Sequence, residues 1–153
     1  MNMKQMRTGS SPLFTITFCL LILTLGGCSY LFYPKASTYL EQAKGSSGVE
    51  TIDNLIGMLE KSAKAARGPQ NYQAGMDDLH NQLHALDDAF CQVTKPQTET
   101  AAYSKATTLR KELWTIFKPL WRHRDDQPVR EAHLDLFNAR LQDLRESLRA
   151  LKG

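Results

Sequence analysis

The sequence predicts an all-α fold, an up-down-up-down four-helix bundle, on three observations. In four separate segments apolar residues recur at steps of three and four, the spacing that gathers them on one face of a helix. The breaks between these segments are short and rich in turn-forming residues, so consecutive helices must fold back on one another. No stretch sustains the alternation of apolar and polar residues that a half-buried strand requires.

The first long helix begins at Ser47, which stands three residues before Glu50, the spacing of a capping box. Val49, Ile52, Leu55, Ile56, Leu59 and Ala63 form its apolar face, Lys61, Lys64 and Arg67 suit the negative end of its dipole, and Gly68-Pro69 stops it. Before it, Lys35–Lys44 has helix-forming composition but is cut off by Gly45-Ser46-Ser47-Gly48, so it is either a broken start or a short helix of its own. The second helix, from about Tyr72 to Val93, carries Met76, Leu79, Leu83, Leu86, Phe90 and Val93 on one seam and Asp77, Asp78, Asp87 and Asp88 on its polar side. Lys95-Pro96 breaks it.

Thr98 is placed to cap the third helix, whose inner side holds Tyr103, Ala106, Leu109 or Arg110, Leu113, Ile116 or Phe117, and Leu120. Its surface is net positive where its predecessor's is net negative, which favours antiparallel neighbours. Pro119 predicts a kink or an early end between Phe117 and Trp121. Asp125-Asp126-Gln127-Pro128 then reads as a turn with Pro in the first turn of a helix. In that last helix Leu134, Phe137, Leu141, Leu144, Leu148 and Leu151 form the seam, and Arg130, Arg140, Arg145 and Arg149 fall on the solvated side.

Ahead of these segments, Lys4 and Arg7 precede an uncharged apolar run, Leu13–Leu25, too short for the roughly 20 residues that span a bilayer and suited to the core of a signal peptide. It ends in Leu25-Gly26-Gly27-Cys28, which resembles the lipobox of bacterial lipoproteins. The resemblance implies cleavage between Gly27 and Cys28, acylation of Cys28, and a division into signal peptide 1–27, lipidated tether 28–34 and helical domain 35–153. Ser29 stands where lipoproteins retained at the inner membrane carry Asp, which points to the outer membrane, with the domain facing the periplasm. The tether, Ser29-Tyr30-Leu31-Phe32-Tyr33-Pro34, reaches roughly 20 Å at about 3.3–3.6 Å per residue. Its rings either rest at the headgroup level or cover one end of the domain.

Loss of residues 1–27 removes Lys4 and Arg7 and no acid, so the formal charge falls from +3 to +1 and gives no reason to expect nucleic acid as a partner. Of three cysteines only Cys91 then remains as a thiol in an oxidising compartment. It is open to a mixed or homodimeric disulfide, or is a small residue tucked beneath the loop to Pro96.

No residue pattern supports catalysis. The serines lie in turns without a histidine and an acid to act on them, and the carboxylates of Asp77-Asp78 and Asp87-Asp88 diverge on a helix. His80 and His84, four apart, have the spacing of metal ligands, but His84 faces outwards and no third ligand is evident, so the pair reads as surface and no metal or other cofactor is expected. Tyr103, Trp114, Phe117 and Trp121 are the aromatic concentration of the mature chain and the candidate partner or ligand surface.

Two functions follow as expectations. The first is a non-enzymatic docking or assembly module, held to membrane lipid through Cys28 and engaging an envelope protein. The second is a periplasmic ligand-binding or sensory bundle for a small molecule or metal. Leu113-Trp114, Lys118 and Pro119-Leu120 are faintly similar to periplasmic four-helix sensor domains over about a third of the chain. An enclosed cavity would favour the sensor, and a filled core with an exposed apolar strip the docking module.

Overall fold

The computed structural model describes residues 35–151. The expected signal peptide 1–27, the expected cleavage and acylation site at Gly27 and Cys28, and the expected tether 28–34 lie outside the described residues. Six helices follow in order: α1 Ala36–Ala43, α2 Gly48–Ala65, α3 Tyr72–Phe90, α4 Lys95–Thr98, α5 Ala101–Arg122 and α6 Gln127–Arg149. Five have eight residues or more, and no strand occurs among the described residues. Lys35–Lys44 thus forms a separate helix rather than the start of α2.

Local chemistry sets the helix starts. Ser47 Oγ accepts the Glu50 amide at 3.1 Å, and the Glu50 carboxylate returns to the Ser46 amide at 2.6 Å, one residue short of the reciprocal bond of a capping box. Thr100, not Thr98, caps α5 by accepting the Tyr103 amide at 3.1 Å. Thr98 instead ends α4, a single turn that Pro96 can begin because its missing N–H has no partner there. Asp126 caps α6 through the Val129 amide at 3.2 Å. Pro119 does not end α5: the helix runs to Arg122, and the His123 amide still reaches the Pro119 carbonyl at 3.0 Å. Leu120 is fully buried, and burying a leucine contributes about 1.5–3 kcal/mol, which holds the last turn despite the lost amide.

The packing is that of a helical bundle. Ile52, Leu55, Ile56 and Leu59 of α2, Met76, Leu79, Leu83 and Leu86 of α3, Leu113 and Leu120 of α5, and Leu134, Phe137, Leu141 and Leu144 of α6 are all at 0 % exposure. Neighbouring helices run in opposite directions, as their cross-pairs show. Gly75 near the start of α3 meets Ala65–Ala66 at the end of α2, and Gly48 at the start of α2 meets Gln92 beyond α3. Ser147 late in α6 donates to the Ala102 carbonyl early in α5 at 2.9 Å. Arg145 of α6 bonds Asp53 and Glu60 of α2 at 3.2 and 2.5 Å. α1 lies across α2 and α3, with the Tyr39 hydroxyl donating to Asp78 at 2.5 Å and the Asn54 amide to the Ala43 carbonyl at 2.9 Å.

One placement differs from the sequence expectation. Arg130 is not on the solvated side of α6 but is 1 % exposed. Its Nε donates to the Ala66 carbonyl at 3.0 Å, its two terminal nitrogens donate to the carbonyls of Arg124 and Gly68, and its guanidinium lies 4.1 Å from the centre of the Tyr72 ring. The carbonyls at the ends of α2 and α5 have no further turn to pair with and carry the negative ends of two helix dipoles. A planar five-donor fork meets both ends at once, where no carboxylate is required. Gly68, at φ +82°, takes the left-handed conformation that ends α2 and turns its carbonyl inward.

Candidate functional site

Helices α3 and α5 present a cluster of rings along one flank. His80 and His84, one turn apart on α3, lie 5.0 Å from each other between ring centres. His80 stacks on Phe117 at 5.8 Å and 14°, meets Trp121 at 5.3 Å and stands edge-on to Trp114 at 6.1 Å. His84 lies 4.9 Å from Trp114. Phe117 is buried, Trp114, Trp121 and His80 are half-buried, and His84 is exposed, as its register predicted. The rings therefore form a gradient from core to solvent rather than a closed core layer.

Polar contacts hold this flank in shape. Asp87 accepts the Trp114 indole N–H at 2.9 Å and the Arg110 guanidinium at 3.0 Å, so one carboxylate fixes two residues of the facing helix. Arg124 donates to the Trp121 carbonyl at 2.9 Å and lies 4.8 Å from the centre of the Trp121 ring. Burial, reinforced by the charge of His84 and opposed by Asp77, pushes the His80 pKa down. The ring is neutral at pH 7 and can stack on Phe117 without carrying an uncompensated charge inward.

Between these rings runs an open cleft of about 380 Å³ lined by His80, Trp114, Phe117, Lys118, Trp121 and Arg122. Its floor is aromatic and its rim cationic. Lys118 and Arg122 lie four apart on α5, straddle Trp121, are exposed, and have no hydrogen-bond or ion-pair partner among the described residues. A second open cleft, of about 490 Å³, lies beside α1, α2 and α6 around Asn54, Gly57, Met58 and Arg145. It is more polar, and the Arg145 guanidinium there is already committed to Asp53 and Glu60.

Of the residues singled out from sequence, Trp114, Phe117 and Trp121 come together, joined by His80 and His84. Tyr103 does not. It sits toward the other end of α5, 5.9 Å from the Phe90 ring, with its hydroxyl donating to the Phe90 carbonyl at 3.3 Å. Cys91 is exposed rather than tucked beneath the loop to Pro96, and its thiol, in no disulfide among the described residues, donates to the Asp87 carbonyl at 3.7 Å. No group of three or more metal-ligating side chains forms among the described residues. Leu136, 58 % exposed, is the large apolar side chain left open to solvent there, so no broad apolar strip accompanies the aromatic flank.

Two features escaped the sequence reading although a signal for each was present. Arg130 stands four before Leu134 and extends the α6 seam by one step, so its register already pointed inward. Lys118 and Arg122 bracket Trp121 at helical spacing. Comparison with protein-family models, curated proteins and solved structures finds no match.

Proposed function

We propose that this chain is a lipid-anchored envelope protein, held at the outer membrane through acylated Cys28, whose helices form an up-down-up-down four-helix bundle of α2, α3, α5 and α6 with α1 laid across it. The bundle acts as a non-enzymatic interaction module, and the flank of α3 and α5 is the surface by which it engages an envelope component, the envelope protein expected from the sequence included. The observation that carries this reading is that flank: half-buried Trp114 and Trp121 beside unpaired Lys118 and Arg122, with Asp87 fixing the geometry. Aromatic rings that are rigidly placed and incompletely covered lose little entropy on binding, which is why such residues dominate contact surfaces.

Chemistry is not proposed. Asp78 and Asp87 are engaged by Tyr39, Trp114 and Arg110, and Arg145 by Asp53 and Glu60, all in contacts that hold the helices together. The ligand-binding alternative rests on the 380 Å³ cleft, which falls at the small end of the range for ligand sites. It is open along one side rather than sealed between helices.

Placing a photo-crosslinking phenylalanine analogue at Trp121 in intact cells tests the interaction reading. A reproducible adduct with an identified envelope component, absent when the same analogue replaces exposed Ala139 on α6, is expected. Equal labelling from both positions would sink it. Mass spectrometry of the mature protein tests the anchor separately: an amino terminus other than acylated Cys28 removes the membrane address.

A further inference from the structure

We infer that the α3–α5 cleft seats the headgroup of an anionic phospholipid, with its phosphate against Lys118 and Arg122 and its glycerol end on the faces of Trp114 and Trp121. The inference deepens the interaction reading by naming the chemistry of the partner, and rests on that reading for its nearness to a membrane.

Charge complementarity is the first argument. Two exposed cations one helical turn apart, unpaired among the described residues, flank a tryptophan over an aromatic floor. Of the acids beside the rings, Asp77 acts on His80, and Asp87, bonded to Trp114, is already paired with Arg110. Such a pair attracts a phosphate, while indole rings favour the boundary where a polar headgroup gives way to hydrocarbon. At about 380 Å³ the cleft has room for a headgroup and glycerol but not for two acyl chains, which would remain in the bilayer.

Where the chain enters the domain is the second argument. Lys35 precedes α1, and Tyr39, one turn on, bonds Asp78 near the start of α3. The last turn of α5, with Trp121 and Arg122, packs against His80, two residues further along α3. The chain therefore arrives at the same height along α3 as the cleft, on the opposite face of that helix. From Cys28 to that point run seven residues, at most about 25 Å when extended. An acylated Cys28 would hold this level of the domain within headgroup distance of the leaflet.

The chain's own fluorescence provides the test, because its two tryptophans are the two that line the cleft. The purified full chain in a neutral detergent is titrated with mixed micelles containing phosphatidylglycerol, then with phosphatidylcholine of the same acyl chains, and with inorganic phosphate alone. A saturable shift in tryptophan emission is expected for phosphatidylglycerol, at concentrations at least about tenfold below any response to phosphatidylcholine. Removing Lys118 and Arg122 together as Gln should weaken it about 25-fold, roughly fivefold per charge near an anionic surface. Lys95→Gln on α4 with Lys105→Gln early in α5, an equal charge change away from the cleft, should leave it within twofold, and circular dichroism of both variants checks the fold. Equal responses to the two lipids would overturn the inference, as would an unchanged response in the Lys118/Arg122 variant. Saturation by inorganic phosphate at the same concentration would assign a free-anion site instead, and a crosslink at Trp121 to protein with none to lipid would assign a protein partner. If Cys28 proves unmodified while the phosphatidylglycerol response persists, the anchor fails and the cleft's specificity stands.

Discussion

Arg130 is where a single substitution should disturb this fold most. Its guanidinium joins the end of α2, through Ala66 and Gly68, to the end of α5, through Arg124, and covers the Tyr72 ring. Arg130→Met keeps most of the apolar stem and deletes all three bonds. A hydrogen bond to a charged group contributes about 1.5–3 kcal/mol, but the Gly68 and Arg124 carbonyls are part-buried and recover water once released. Counting the fully buried Ala66 bond in full and the others at a fraction gives about 3–4 kcal/mol. Part of this is returned because the variant no longer desolvates a cation, so a net loss of about 2–4 kcal/mol is expected. For a domain of this size that lowers Tm by roughly 6–16 °C. Thermal and urea unfolding followed by helical circular dichroism measure it, with Lys61→Met, exposed on α2, as the control. Arg130→Lys should recover little, since an ammonium cannot reach three carbonyls set around a planar fork. A loss below about 0.5 kcal/mol in Arg130→Met would refute the reasoning, because two helix ends would then be satisfied without it.

Three further outcomes follow from particular contacts. Gly75→Ala should destabilise by about 1–3 kcal/mol, because its Cβ would lie 2.6 Å from the Ala66 nitrogen, which is backbone and cannot swing aside. Gly57→Ala, whose nearest neighbour would be 3.9 Å away, should instead stabilise by up to about 1 kcal/mol; urea midpoints of the same sign for both would contradict the packing of α2 on α3. Trp114→Phe should cost about 1–2 kcal/mol by deleting the indole bond to Asp87, and an unchanged urea midpoint would show that this bond contributes nothing. His80 has a pKa lowered from its ordinary 6.5, first by burial and then by His84, with Asp77 opposing. Its contribution to stability is therefore full above about pH 6.5 and is lost as pH falls from there toward the lower folded-state value, because the unfolded chain takes up the proton first. Urea midpoints at pH 7.5 and 5.0 should differ less in His80→Gln than in the parent, and equal differences would dismiss the titration of this ring.

The four long helices were legible because their apolar rhythm is a property of neighbours in sequence: Leu134 through Leu148 face one way whatever lies opposite. Ser47 and Pro128 marked their helix starts for the same local reason. Thr98 misled because Thr98 and Thr100 both offer a capping oxygen, and the turn made by Lys95–Thr98 decides which is used. Of the two outcomes expected at Pro119, the early end does not occur, because the proline's cost is local while the burial of Leu120 that offsets it comes from other helices.

The candidate site divides along the same line. That Trp114, Phe117 and Trp121 share a flank of one helix is fixed by their spacing. That His80 and His84 complete the cluster, and that Tyr103 leaves it, depended on the register between α3 and α5, which only their packing sets. By itself the sequence determined helix content, the inward faces and the lipobox resemblance, all carried by residues within a few turns of one another. Tertiary structure alone decided that Asp87 would grip the facing helix and that Arg130, whose inward register its spacing already carried, would meet the carbonyls of two helix ends. A buried polar group is tolerated only where partners from elsewhere in the chain meet it, and no local pattern records where those partners will be.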